Sequence, residues 1–263
     1  MSVTYTAVLD VSEDSVLFLS GLLHAERIRR GTRTDTRALS TYQQAVLALR
    51  WLFDDTRMTQ LARDNGISVS TGYDYRDEAI TVLTARQPSL HGALLAAKAA
   101  EHSHVLLDGT LIATDRIASP GPTRGVDLWW SGKNRRHGGN IQVVSAPDGW
   151  PLWTSPVRPG REHDTTAART DPDLLTQIAA WVDDGHLGLA DLGYKGEADL
   201  LRIPIKKPYI AVHGALRCLS ERANSLLKTG FKALRRWRGC PWRIGDIAAA
   251  ALVLLHHEHH RTT

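Results

Sequence analysis

Cysteine is nearly absent: Cys218 and Cys240 are the two thiols in 263 residues. They lie far apart and lack metal-ligand spacing. That excludes a disulfide framework and a cysteine-based zinc site, and predicts reduced, half-buried thiols in a reducing compartment. Long apolar runs are missing too. The longest, "IAAAALVLL" (247–255), is too short to cross a bilayer, which takes about 20 residues; it reads as a buried core helix. The first residues, "MSVTYTAVLDVSEDS", contain neither a basic n-region nor an apolar h-region. No signal peptide is therefore expected, and a cytoplasmic protein is. Internal repeats and low-complexity tracts are absent. The histidine-rich "HHEHH" (256–260) lacks the H-E-x-x-H spacing of a zinc helix and reads as a frayed tail.

Hydrophobic content of 43% and charged content of 23% are those of an ordinary globular chain. The length suits one large domain and a small one. Net charge is only +4, yet pI is about 9.2, and the charge is uneven. "KNRR" (133–136) is wholly basic apart from its asparagine, and every charged residue between 228 and 243 is basic. Such patches suit a polyanionic partner.

The hydrophobic period divides the chain. Residues 12–30 read as a helix and 31–37 as a loop. "YQQAVLALRWLF" reads as a helix, "MTQLARDNG" as a short helix stopped at Asn65-Gly66, and "ISVSTGYDYRDEAITVL" as a helix capped by Ser68. The run "TQLARDNGISVST" (59–71) fits a helix-turn-helix, with Leu61 and Ala62 inward, Gly66 in the turn and Ile67 plugging the core. Ser68, Ser70, Thr71, Tyr73 and Arg76 would then face DNA. An ordinary helical hairpin is the other reading. Residues 1–85 thus form a helical domain, and 86–103 a helical connector.

From His104 the pattern is that of strands. "HVLLDGTLIATDRI" holds a buried strand, and "GNIQVVSAPDGWPLWTSPV" two strands around Pro147-Asp148-Gly149. Residues 164–182 read as one helix, "HLGLADLGYKG" as a short strand ending at an acid, and "RIPIKKPYIAV" as a further strand. Along "SERANSLLKTGFKALRR" (220–236) and the residues just before it, Arg217, Glu221, Asn224, Lys228, Lys232 and Arg235 form a polar stripe at helical spacing. Leu216, Ala223, Leu227, Phe231 and Leu234 form the apolar stripe beside it, and Gly239 and Pro241 stop the pattern. The fold class is α/β, with a mixed sheet over 104–263.

Asp108 lies inside a strand and Asp191 at a strand end, and Glu221 lies on the helix that follows. Each taken singly reads as a hydrogen-bond or salt-bridge partner. Three together, on adjacent elements beside a basic face, favour a site for hard divalent cations such as Mg²⁺ or Mn²⁺. Lys133, Arg135 and Arg136 could grip phosphate, while Trp129 and Trp130 read chiefly as core. Asp164 is either the cap of the helix that it opens or a group near the metal. Asp115 reads as structural.

The strings "LLDGT", "WSGKNRRHG", "SPVRPGREHD" and "LADLGYKG", with R-x(3)-E-x(6)-K at Arg217, Glu221 and Lys228, carry a resemblance. The stretch from His104 to about Leu255 resembles the catalytic domain of DDE-type transposases of bacterial insertion sequences, in the branch related to Harbinger-type transposases. The resemblance implies an RNase H-like fold preceded by a helix-turn-helix domain. It implies that Asp108, Asp191 and Glu221 bind two Mg²⁺ or Mn²⁺ ions when DNA is bound, and that Arg217 and Lys228 contact DNA near the cut. Lys232 and Arg235, farther along the same stripe, would hold the phosphate backbone. Double-stranded DNA, as terminal inverted repeats and target, is the implied partner of a homodimer at the bacterial nucleoid, with no membrane. Gly214 stands where the family usually has a tyrosine. A DNA-binding protein without chemistry, or a metal nuclease that cuts without joining, are the alternative functions.

Overall fold

The computed structural model describes residues 8–204 and 210–262; for 210–217 the description covers the backbone alone. Five helices come first: α1 (Glu13–Arg29), α2 (Thr41–Asp54), α3 (Met58–Asp64), α4 (Val69–Thr84) and α5 (Leu90–Ala99). Their starts are chemically marked. Ser12, Ser40, Ser68 and Ser89 each accept a backbone N–H of the first turn, and Ser40 and Gln43 complete a capping box. Between α3 and α4 the chain turns at Gly66, whose φ of 64° suits a residue without Cβ. Leu61 and Ala62 are buried and Ile67 packs against the core.

The sheet is built around β1 (His104–Thr114) and β3 (Arg136–Ser145), which pair antiparallel. β2 (Trp130–Ser131), β4 (Pro151–Thr154) and β5 (Arg158–Pro159) pair with β3. β6 (Leu187–Ala190) and β7 (Arg236–Trp237) run parallel to β1 along different parts of its length. Among the described residues the sheet is thus mixed and seven-stranded. β3 is buried continuously from Gly138 to Ser145, as a strand covered on both faces must be.

Three expected elements need correction. The helix expected over 164–182 is two, α6 (Asp164–Thr170) and α7 (Leu174–Asp183). Pro172 drives Asp171 into an extended conformation, ψ 117°, and Oδ1 of Asp171 accepts the N–H groups of Asp173 and Leu174. The strand expected in "RIPIKKPYIAV" falls partly on 205–209, outside the described residues. Ile210 onward belongs instead to α8 (Ile210–Gly230), and Arg202 makes only an isolated bridge to Leu189. Finally, the helix expected to run through Arg236 ends at Gly230. Phe231 leaves the helical region (φ −117°, ψ 97°) and a short 3-10 turn, Lys232–Leu234, leads into β7. Buried Phe231 packs on Phe53, with ring centroids 4.6 Å apart, and Trp237 packs edge-on against Trp51 at 5.8 Å. These aromatic contacts hold the chain off the helical path.

The last helix, α9 (Ile244–Glu258), is buried from Ile247 to His256, as its run of alanine and leucine predicts. Its end is no frayed tail. His256 is buried and hydrogen-bonds the carbonyl of Pro151 at 2.7 Å. His257 stacks on Phe18 at 4.0 Å and pairs with Asp14. Glu258 accepts from the backbone N–H and hydroxyl of Ser12, at 2.9 and 2.7 Å, and from Ser15. Side chains of α1, α2, α4, the sheet and α9 belong to one hydrophobic core. Cys218 and Cys240 are free and exposed rather than half-buried. Among the described residues no helix is long and apolar enough to cross a membrane.

Candidate active site

Register brings the first two acids together. β1 and β6 run parallel with Leu107 opposite Ala190, so the next residues along the two strands are Asp108 and Asp191. Asp191 caps the 3-10 turn Leu192–Glu197, its Oδ1 accepting the N–H of Gly193 at 2.7 Å. From α8, Glu221, Asn224 and Lys228 face the same place. Asp108, Asp191, Glu221, Asn224, Lys133 and Lys228 line a cleft of about 420 Å³. Oδ2 of Asp108 accepts a hydrogen bond from Nδ2 of Asn224 at 2.8 Å. Burial, reinforced by the charges of Asp191 and Asp164, pushes the Asp108 carboxyl up to about 7. Glu221 is exposed on the cleft's rim.

A fourth carboxylate lies against this group. Asp164 is not the cap of α6 but its first helical residue; His163 holds the cap position without a side-chain bond. The Asp164 side chain is buried. It accepts from Nζ of Lys133 at 3.0 Å and from Nδ2 of Asn140 at 2.9 Å. A Cβ on Gly109 would come 2.2 Å from Oδ1 of Asp164, and one on Gly193 would come 3.1 Å from its Oδ2. Both glycines thus make room for this carboxylate. Below it, Gln142 donates from Nε2 to Oδ1 of Asn140 at 3.1 Å, and buried Tyr194 donates to Gln142. Asn140, Gln142 and Tyr194 were not singled out from the sequence. The signal was available, since two amides at i and i+2 inside a buried strand require partners.

The donor set suits a hard divalent cation: carboxylate oxygens, one half-buried and its charge opposed by acid neighbours. Among the described residues, no three His, Cys, Asp or Glu side chains close on one ligand position. Residues 107–256 match the family described as DDE superfamily endonuclease. The chain belongs to that family. Comparison with curated proteins and with solved structures yields no match. Membership makes this a nuclease- or transposase-type enzyme of a divalent-metal-dependent superfamily, with DNA as its substrate class.

The residues expected to grip DNA are differently disposed on the endonuclease. Lys133 lies at the cleft, Arg135 is exposed in the turn between β2 and β3, and Arg136 is exposed at the start of β3. Arg136, Lys133, Trp130 and Arg161 line a second, neighbouring cleft of about 650 Å³. Trp129 is core, and Trp130 packs edge-on against His137 at 5.1 Å. Lys228 does not project outward along a phosphate-facing stripe. Its ammonium turns inward to Oγ1 of Thr110 at 2.5 Å and the carbonyl of Leu111 at 3.1 Å, and burial lowers its pKa. Lys232 and Arg235 lie beyond the end of α8. Lys232 pairs with Asp54 at 2.9 Å, and Arg235 donates to the carbonyls of Lys228 and Thr229. The Arg217 side chain lies outside the described residues. Among the N-terminal helices Ser68, Ser70 and Tyr73 are exposed, and Thr71 is half-buried beside Ser68. Arg76 is not on that face. It is buried, its guanidinium 5.0 Å from the ring of Trp51, 4.7 Å from Tyr73 and 5.2 Å from Trp237. Asp115 is structural, paired with Arg236 at 2.6 Å.

Proposed function

We propose that this DDE endonuclease is the transposase of a bacterial insertion sequence, in the branch related to Harbinger-type enzymes, cleaving and joining strands at its element's ends. The observation that carries the reading is the convergence of Asp108, Asp191 and Glu221, from two strands and a helix, on one cleft beside Lys133. Asp108, Asp191 and Glu221 would hold Mg²⁺ or Mn²⁺. Bound there, the ions supply activation of a water or 3′-hydroxyl and stabilisation of the leaving oxygen. Asn224 orients Asp108 through its hydrogen bond, and the Asp191 loop is fixed by its own cap. Lys133 offers positive charge to a phosphodiester entering the cleft. The pair α3 and α4, read as a helix-turn-helix, would recognise terminal repeats through Ser68, Ser70, Thr71 and Tyr73, with two copies of the chain on the DNA.

The test is to incubate the protein with Mg²⁺ and the DNA flanking its gene, and to map the resulting ends. Cuts at a repeated terminal sequence, followed by joining to target DNA, are expected. Asp108→Asn should abolish both. Cutting without joining would reduce the protein to a nuclease, and binding without cutting would reduce it to a DNA-binding protein.

A further inference from the structure

We infer that Asp164 is a positioning residue of the cleft: held from below by Asn140, it fixes the ammonium of Lys133 at the place where a DNA phosphate enters. This rests on the DNA-cleaving reading above. Three observations carry it.

First, both oxygens of Asp164 are committed, Oδ1 to Asn140 at 2.9 Å and Oδ2 to Lys133 at 3.0 Å. Second, the hydrogen bonds beneath run in one direction. Tyr194 donates to Gln142, Gln142 to Asn140, and Asn140 to Asp164. A phenol has one proton to give and a carboxylate only accepts, so the two ends set the orientation of both amides. All four side chains are buried, and a satisfied buried network of this kind is rigid. Third, the pocket for Asp164 is shaped by missing side chains. A Cβ at Gly109 or Gly193 would intrude on its oxygens, and Thr165 ties α6 to the Asp191 loop through the carbonyl of Gly193 at 2.5 Å.

Lys133 itself sits on an exposed turn, with 62% of its side chain accessible. A long, mobile side chain in such a place is a poor clamp unless something holds it. Asp164 is what holds it. The same ammonium lines the cleft of Asp108, Asp191 and Glu221. It can therefore meet a phosphodiester without leaving its anchor, since an ammonium has three donors.

The test uses the full chain with Asp164→Asn, Lys133→Met and the double variant, all checked for folding by thermal melting. Lys133 is exposed, so Lys133→Met provides a variant expected to fold even should Asp164→Asn prove unstable. Mg²⁺-dependent cleavage at saturating duplex should fall about tenfold or more in each single variant, and the double should be no worse than Lys133→Met alone. Duplex affinity of Asp164→Asn should be kept or raised, because an anion has been removed. Independently of cleavage, amine acetylation read by peptide mass spectrometry should label Lys133 several-fold faster in Asp164→Asn, and duplex DNA should protect Lys133 in the wild type. Multiplying effects in the double variant, wild-type cleavage by Asp164→Asn, or an unchanged labelling rate would each overturn the inference. A wild-type protein that cuts nothing would sink the nuclease reading, and the labelling rates would still decide whether Asp164 restrains Lys133.

Discussion

Asp108 is half-buried while Glu221 stands exposed on the rim of the same cleft, so replacing them with amides has different consequences. Glu221→Gln keeps shape and removes one anionic oxygen. As a metal ligand its loss should lower Mg²⁺-dependent cleavage by roughly a hundredfold or more, with duplex affinity kept. A surface glutamate supporting a helical neighbour contributes only about 0.2–0.5 kcal/mol, so near wild-type cleavage by folded Glu221→Gln would return it to that role. For Asp108 the readout is stability. Its carboxyl is raised from 3.8 to about 7 in the fold, so the native state binds the proton more tightly than the unfolded chain. That contribution is whole below pH 3.8 and is lost as pH rises through about 7. Without metal, Asp108→Asn should therefore exceed the wild type in stability at pH 8, by on the order of a few kcal/mol, with a smaller gap at pH 5. Melting curves in chelator at the two pH values measure this, and an equal gap at both would refute it. Asp108 and Asp191 were legible because one lies within and the other ends an apolar strand, each close to a glycine. Asp164 was legible only as one of two alternatives, because an aspartate opening a helix is what capping chemistry also produces.

At the scale of elements, a periodic pattern can outlast the element that carries it. Phe231 and Leu234 continue the apolar spacing of α8 and are buried as that spacing predicts, although the helix has already ended at Gly230. The partners that redirect the chain, Phe53 and Trp51, come from α2, and no local window contains them. Arg76 shows the same limit. Its place on α4 reads as a polar face, yet the rings of Trp51 and Trp237 bury it. Arg76→Ala should therefore cost about 1–3 kcal/mol of stability through lost stacking and packing. It should leave the preference for terminal repeats over random duplex unchanged. Tyr73→Ala, on the exposed face, should do the reverse. Chemical denaturation together with competition binding separates them, and a stable Arg76→Ala with relaxed sequence preference would restore Arg76 to the reading face.

Across the whole molecule the N-terminal helices and the sheet are joined through α9. Thr84 of α4 donates to the carbonyl of Asp246 at 2.9 Å, and Glu258 binds Ser12 and Ser15 at the start of α1. The mixed sheet was legible from the strand pattern, but this union was not, since "HHEHH" has no period and its histidines acquire roles only against Trp150, Phe18 and Pro151. His256 makes the union sensitive to acid. Burial holds its pKa below the ordinary 6.5, and the nearby Arg261 adds to the effect, against the opposing pull of its bond to Pro151. As pH falls below 6.5 the unfolded chain takes up this proton before the native state does. The stability it contributes is complete above pH 6.5 and declines as pH falls through the lowered native value. His256→Gln retains an N–H donor for Pro151 without titrating in this range. Wild type and variant should respond alike to pH between 8 and 7, and the wild type should lose more melting temperature than the variant between 6.5 and 5. Because α9 packs on both the N-terminal helices and the sheet, that loss should appear as one cooperative transition rather than as early release of those helices. Calorimetry at successive pH values reads both features, and parallel losses in the two proteins would show that some group other than His256 governs the acid limb.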